Sequence, residues 1–348
     1  MPAITEGKVL VTGANGFIAG WVVKDLLEHG FSVRATVRSL DKADKLKAAL
    51  GGTFGDRLQF VVVDDFTADG AFDEVLEGID GVVHAAAPIH PVINDPDDLI
   101  RPAVRSVTSI LDAADKRGAT VKRVVFVSSA SAIVDVERPA PDAWTDKDWN
   151  ESAVAEVLEK GPAASLRAAY PASKVLAERA AWDAYNAAKT KAGAESGTRW
   201  DLVSLCPPWV FGHFLGAVER EELNFSVGTW YRTAVLEAPA PFPGVGNVKW
   251  TDVRDFAEAT RLALTTPEAG GERFIISAGS SVWGQWVNAA RRVLGKSGEP
   301  LAAEAPRVGL WVSEFDSQKS RELLGIRYHT LEETTENILE EFKKRGWA

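Results

Sequence analysis

Up to Ser129 the apolar and polar positions fall into two alternating patterns. Short runs rich in Val, Ile and Phe occupy 8–13, 31–37, 58–64, 81–87 and 123–129. Helix-length segments lie between them at 16–30, 41–50, 70–78 and 97–117. Strands that are apolar at nearly every position have both faces buried, so this rhythm predicts a parallel sheet covered by helices on both sides. The order βαβαβαβαβ is that of the doubly wound, Rossmann-type α/β fold.

After Ser129 the rhythm changes. A polar stretch with Pro139, Pro141, Trp144 and Trp149 leads into a long Ala-rich helix at about 168–191, with Pro171 in its first turn and its start near Tyr170. A buried strand is expected at 200–206, a break in regular structure at 207–212 (PPWVFG), and an irregular segment to 248. A strand and helix follow at 249–264, a strand at 273–277, and helices at 281–295 and 331–345. The expected division is a sheet domain of 1–207 and 249–278, with a smaller interleaved C-terminal lobe of 208–248 and 279–348.

Composition narrows the function. The 348 residues carry a net charge of −10, which disfavours nucleic acid and anionic lipid as partners. The single cysteine, Cys206, excludes an internal disulfide and a Cys-rich metal site, and the five histidines show no HExxH-type spacing. No metal is expected. With a strand pattern beginning by Lys8 and no apolar run of membrane length, the expectation is a cytoplasmic chain without a signal peptide.

The first candidate site is VTGANGFIAGW, 11–21. It follows a strand and opens a helix, the context a dinucleotide-binding turn requires. Gly13 suits the tight turn, Gly16 lets backbone approach a pyrophosphate, and the helix N-terminus carries partial positive charge. Asn15 tolerates positive φ. Gly13, Asn15, Gly16, Phe17 and Ile18 are the contact candidates here; a plain strand-to-helix turn is the alternative. In the second strand, the place where NAD-binding chains put an acid holds Thr36-Val37-Arg38. A guanidinium there suits a ribose 2′-phosphate, with Lys42 and Lys45 within reach on the next helix. This predicts NADPH/NADP+ over NADH. Asp64, Asp65 and Phe66 end the third strand, where one carboxylate could meet the adenine amino group or cap a turn. Ala85 and Ala86, in the AAAP of 85–88, are small enough to let cofactor lie against backbone.

The second candidate is YPASK, 170–174. Positions i and i+4 share a helix face, so a phenol and an ammonium point the same way. A neighbouring cation favours the phenolate of a tyrosine whose ordinary pKa is ~10, tuning it toward proton donation. SSAS at 128–131 ends the fifth strand, at the sheet edge where such folds bind ligands. YxxxK by itself reads as a surface pair; glycine turn, strand-end serine and YxxxK in this order read as an enzyme.

Together these stretches resemble the extended short-chain dehydrogenase/reductases over almost the whole chain. VTGANGFIAGW, VRATVRS, VVHAAAP, VFVSSAS and YPASK-x-LAE-x-AAW are similar to the dihydroflavonol reductase-like group. GANGFIA, with Ala19 third, is most like fungal NADPH-dependent aldehyde, ketone and methylglyoxal reductases. The resemblance implies Ser129, Tyr170 and Lys174 as catalytic residues and Lys174 as a ligand of the nicotinamide ribose. It further implies Arg38 and Lys45 at the 2′-phosphate, Asp65 at adenine, and Pro207 and Val210 near the nicotinamide. The implied reaction is hydride transfer to a small aldehyde or ketone by a monomer or homodimer.

The chain holds twelve Trp. Those at 144, 149, 230, 250, 283 and 286 are expected mainly in the core. Trp209 and Phe211, after Pro207-Pro208, are expected on a substrate-pocket wall, while His90, His213 and Cys206 are expected to be structural. A sugar-nucleotide epimerase or dehydratase would need a second diphosphate site, for which only Arg220, Arg232 and Lys249 are at hand. A thioester reductase of the cinnamoyl-CoA kind is a further alternative. A non-catalytic NADPH sensor would not need the Tyr–Lys pair.

Overall fold

The computed structural model describes residues 3–50, 52–86, 94–116, 120–139, 141–196, 199–239, 247–301 and 313–348. In chain order the elements are β1 (Lys8–Val11), α1 (Phe17–Glu28), β2 (Ser32–Val37), α2 (Asp44–Leu50), β3 (Leu58–Val62), β4 (Gly81–His84), α3 (Asp97–Lys116), β5 (Arg123–Val127), β6 (Ala143–Trp144), α4 (Glu151–Lys160) and α5 (Leu166–Ser196). There follow β7 (Asp201–Cys206), β8 (Trp209–Phe211), α6 (Phe225–Trp230), β9 (Val248–Asp252), α7 (Val253–Thr265), β10 (Arg273–Ile275), β11 (Gly279–Ser281), α8 (Trp283–Leu294), β12 (Glu314–Phe315), α9 (Gln318–Leu323) and α10 (Leu331–Lys344).

Seven strands form one parallel sheet in the order β10-β7-β5-β4-β1-β2-β3. The order reverses between β1 and β4, so a crevice opens there at the carboxyl edge. The alternation of side chains along each strand accounts for the continuous apolar runs. Leu10, Val82, Val124, Phe126 and Leu202 pack on the face covered by α3 and α5. Val9, Val11, Val83, Val125, Val203 and Leu205 pack on the opposite face, with α1 and α7. Each such side chain contributes roughly 1.5–3 kcal/mol by leaving water.

The second apolar cluster continues past the sheet. It takes in Trp230, Trp250, Trp286 and Phe342 around the three-stranded sheet β11-β9-β8, so the large sheet and the small sheet share a core. Trp286 is fully buried, meets the Trp250 ring edge-on at 4.9 Å, and donates its indole N–H to Ser281 Oγ at 2.8 Å.

Four expectations are corrected. Residues 70–78 form successive tight turns rather than a helix. Phe72 and Leu76 are fully buried at a helical spacing, but the segment is short and bounded by Gly70 and Gly78 at positive φ. PPWVFG does not simply break structure: Trp209–Phe211 is β8, paired in parallel with β9. Helix α5 begins at Leu166, with Ser165 Oγ accepting from the Ala168 N–H at 3.2 Å. Tyr170 therefore lies a full turn inside the helix, and Pro171, lacking an N–H, leaves the carbonyl of Arg167 without its helical partner. Finally, Asn15 does not take positive φ; within the glycine turn only Gly13 does, at +67°.

Candidate active site

The glycine turn is held from both neighbouring strands. Gly13 donates its N–H to Thr36 Oγ1 at 3.2 Å, and Ala14 donates to the Thr36 carbonyl at 3.0 Å. A Cβ on Gly13 would stand 3.1 Å from Ala86 Cα, so β1 and the end of β4 approach closely. Gly16 is the N-cap of α1 and offers no side-chain cap. The first-turn amides of α1 have no partner within the helix and carry the partial positive charge of its N-terminus. Asn15 and Gly16 are exposed, Ile18 is half-buried, and Phe17 is buried with its ring 4.7 Å from that of Phe214.

A buried polar chain braces this turn, and the motif reading missed it because His84 looked like an ordinary strand residue. Thr12 Oγ1 accepts from the N–H groups of Ala85 and Ala86, at 3.1 and 3.0 Å, and lies 3.1 Å from His84 Nδ1. With both acceptor positions of the hydroxyl taken, its proton goes to Nδ1. That assigns the remaining imidazole N–H to Nε2, which lies 3.4 Å from Ser106 Oγ. A neutral ring fits this pattern. Burial first, and then the nearby Lys174 charge, push the His84 pKa down to about 3. Ala87 and Pro88, the remainder of AAAP, lie outside the described residues.

Arg38 stands exposed just past β2. Lys45 forms a salt bridge with Glu222 at 2.7 Å, both side chains about half exposed. Between this pair and the glycine turn opens a cavity of about 420 Å³, bordered by Asn15, Gly16, Lys42, Lys45, Phe214 and Glu222 but not by Arg38. Asp65 is exposed and uses Oδ1 to accept from the Thr67 N–H and hydroxyl, at 2.8 and 2.6 Å. These bonds hold its carboxyl below the usual range. Phe66 packs on Phe72 at 5.5 Å.

At the end of β5 the two adjacent serines have different surroundings. Ser128 is buried and donates to Glu178 Oε2 at 2.6 Å. Ser129 Oγ accepts from the Ser131 N–H at 3.1 Å, which leaves its own proton available. The turn is fixed by Ala130 N–H donating to the Pro207 carbonyl at 2.8 Å. On α5, Tyr170 is 41% exposed, whereas Lys174 is nearly buried. The Lys174 ammonium sits 6.0 Å from the Tyr170 ring centre.

One turn beyond Lys174, Glu178 is fully buried. It accepts from Ser128, from Ser204 Oγ at 2.6 Å, and from Arg273 Nε and Nη2 at 2.7 and 3.0 Å. Burial alone would raise its pKa; the Arg273 guanidinium and the hydroxyl donors outweigh this and hold it below the usual carboxylate value. Cys206, buried beside it, is pushed up to about 12 by burial and by the Glu178 charge. It is therefore an inert thiol. The LAE of YPASKVLAE carried the sequence signal for Glu178, four residues after Lys174 on the same helix face.

Trp209 stacks on Phe225 at 5.3 Å and meets the Trp283 ring edge-on at 6.1 Å. Phe225 is 61% exposed, and Trp209 and Trp283 are half-buried. Phe211, expected beside Trp209 on a pocket wall, has no exposed surface: its ring packs behind, against Trp283 and Trp286. Val210 points to the other face of β8 and is buried as well. Among the described residues no group of His, Cys, Asp and Glu side chains could hold a metal ion, and no helix is long and apolar enough to cross a membrane.

A doubly wound sheet with a glycine turn at its switch point and a serine, tyrosine and lysine at its carboxyl edge defines an extended short-chain dehydrogenase/reductase. The chain belongs to the NAD dependent epimerase/dehydratase family, whose model matches residues 9–279. It is 34% identical to the ketoreductase azaE of Aspergillus niger over 93% of this chain and 94% of that protein. It is 33% identical to a dihydroflavonol 4-reductase of Hordeum vulgare over 78% of this chain and 71% of that one. Its fold is similar to that of yeast methylglyoxal/isovaleraldehyde reductase Gre2 complexed with NADPH, with a TM-score of 0.80 and 28% identity over 98% of this chain and all of that one.

Proposed function

We propose that the chain is an NAD(P)-dependent reductase that uses NADPH to reduce an aldehyde or ketone to an alcohol. The observation that carries this reading is the division of labour at the end of β5. Ser128 is committed to Glu178, while the proton of the adjacent Ser129 has no acceptor among the described residues, and Tyr170, on the helix to which Ser128 is tied, is exposed. The close approach at Gly13 and the uncapped N-terminus of α1 fit a dinucleotide pyrophosphate. Arg38, without a partner among the described residues, fits the 2′-phosphate. Lys45 would join it by exchanging Glu222 for phosphate, and the free Oδ2 of Asp65 is left for adenine.

When bound, the nicotinamide supplies the hydride. Ser129 donates a hydrogen bond to the substrate carbonyl oxygen and fixes its position. Tyr170 donates to the same oxygen and transfers its proton as the carbon accepts the hydride, so the C=O becomes CH–OH. The exposed phenol then recovers its proton from solvent. Lys174 keeps a positive charge beside the tyrosine and is placed for the ribose hydroxyls. Trp209, with Phe225 and Trp283, offers an aromatic wall to an apolar substrate. Substrate specificity resides mainly in the lobe of 208–248 and 279–348.

The test is NADPH oxidation against a panel of aldehydes, ketones and sugar nucleotides. Tyr170→Phe should lower turnover by roughly 10²–10⁴; unchanged turnover would refute the mechanism. Arg38→Ala should weaken NADPH by about ten- to a hundredfold while leaving NADH unchanged, as expected for a charge-assisted contact worth ~1.5–3 kcal/mol.

A further inference from the structure

Tyr170, Lys174 and Glu178 follow one another at intervals of four on α5 and so form one stripe along it. The last of the three never reaches the crevice. Its carboxylate lies under the sheet's carboxyl edge, where the two hydroxyls and the guanidinium described above converge on it. Ser128 comes from the turn after β5, Ser204 from β7 and Arg273 from β10, with Ser204 and Arg273 side by side in the strand register. Arg273 also donates through Nη1 to the carbonyls of Asp146 and Asp148, at 3.0 and 2.6 Å, so it is itself firmly held. An ionised acceptor makes these bonds shorter and stronger than neutral ones.

Of the two hydroxyls, only Ser128 sits next to a residue of the proposed chemistry. Backbone bonds already tie its turn sideways to the neighbouring strand, through Ser128 N–H to the Leu205 carbonyl and Ala130 N–H to Pro207. The Ser128 hydroxyl adds a tie in the other direction, from the serine turn to the helix that carries Tyr170 and Lys174.

We propose that Ser128 is a positioning residue: its hydroxyl straps the Ser129 turn to Glu178 and so sets the distance between Ser129 and Tyr170. The inference rests on the reading of Ser129 and Tyr170 given above. Both groups must meet one carbonyl oxygen, and misplacement by about 1 Å can cost on the order of a hundredfold in rate. Ser204 provides the control, because its hydroxyl gives the same carboxylate a bond of the same length from a strand position away from the crevice.

The experiment compares Ser128→Ala with Ser204→Ala in the full chain, measuring kcat, KM for the carbonyl, Kd for NADPH and the urea midpoint. Both variants should lose stability to a similar extent. Ser128→Ala should lower kcat on the order of tenfold or more with NADPH affinity within about twofold, and Ser204→Ala should keep its kcat. Equal kcat in the two variants would overturn the strap. Should Ser128→Ala fail to fold, Glu178→Asp carries the same comparison. It retracts the carboxylate by one methylene while leaving its charge opposite Arg273, and an unchanged kcat there counts against the proposal. Tyr170→Phe run alongside separates the two ideas: if it lowers turnover while Ser128→Ala and Ser204→Ala keep equal kcat, the reading of Tyr170 stands and the strap falls; if it leaves turnover intact, both fall.

Discussion

Replacing Gly13 by alanine tests the geometry of the nucleotide turn. The residue sits at φ +67°, a conformation that costs an L-residue with a side chain roughly 1–2 kcal/mol. The new methyl would lie 3.1 Å from Ala86 Cα and 3.2 Å from its Cβ, so one of the two backbones must move by a few tenths of an ångström. Ala86 resists, because its N–H is bonded to the buried Thr12 hydroxyl. Overpacking of this kind adds ~1–3 kcal/mol, giving an expected loss of about 2–5 kcal/mol in urea unfolding. The shift also falls where β1 and β4 flank the proposed phosphate site, so NADPH binding, followed by nicotinamide fluorescence, should weaken in parallel. Gly20→Ala is the matched control. Gly20 lies inside α1, and its added Cβ would find only ordinary contacts, 3.6 Å from the Ala14 carbonyl oxygen and 3.7 Å from Leu46 Cδ1. Alanine there should be neutral or stabilise by up to ~1 kcal/mol through helix propensity. If Gly13→Ala proves as stable as Gly20→Ala, or binds NADPH equally well, the close approach of the two strands does not govern the site.

Two further outcomes follow from buried charges. Arg123 and Asp201 are both fully buried and joined by two hydrogen bonds of 2.6 and 2.8 Å. Asp201→Asn leaves the guanidinium uncompensated and should cost about 3–5 kcal/mol in denaturant unfolding; a loss below ~1 kcal/mol would be incompatible with that burial. His84 is held neutral in the folded chain down to about pH 3, whereas the unfolded chain takes up its proton near 6.5. The unfolded state binds more protons between these values, so His84 makes stability fall as pH drops through that window, by up to ~1.4 kcal/mol per unit. Stability curves of the native chain and His84→Gln between pH 7 and 5 should therefore converge as pH falls; parallel curves would contradict the assignment.

The doubly wound order was legible because buried parallel strands demand apolar residues on both faces, and the runs at 8–13, 81–87 and 123–129 leave no other economical arrangement. The motif residues were legible for a similar reason: the roles proposed for Gly13, Tyr170 and Lys174 rest on local geometry that a few neighbours specify. Local pattern misled where long-range packing overrode it. Phe72 and Leu76 have helical spacing yet sit in turns, because both are drawn into the core from a segment too short to sustain a helix. PPWVFG has the look of a break, and Trp209–Phe211 becomes a strand only because β9, some forty residues later, supplies its partner. Phe211 and Trp209 look equivalent in sequence; α8, which brings Trp283 and Trp286, buries one and leaves the other half-open. The sequence by itself determined which sheet the chain would form and which residues are the candidates for its chemistry. Only the tertiary structure decided that Ser128 is spent on Glu178 while the Ser129 proton finds no acceptor among the described residues, and that a neutral His84 braces the turn. Those roles depend on donors and acceptors brought together from β4, β5, β7, β10 and α5, and no local pattern along the chain encodes that meeting.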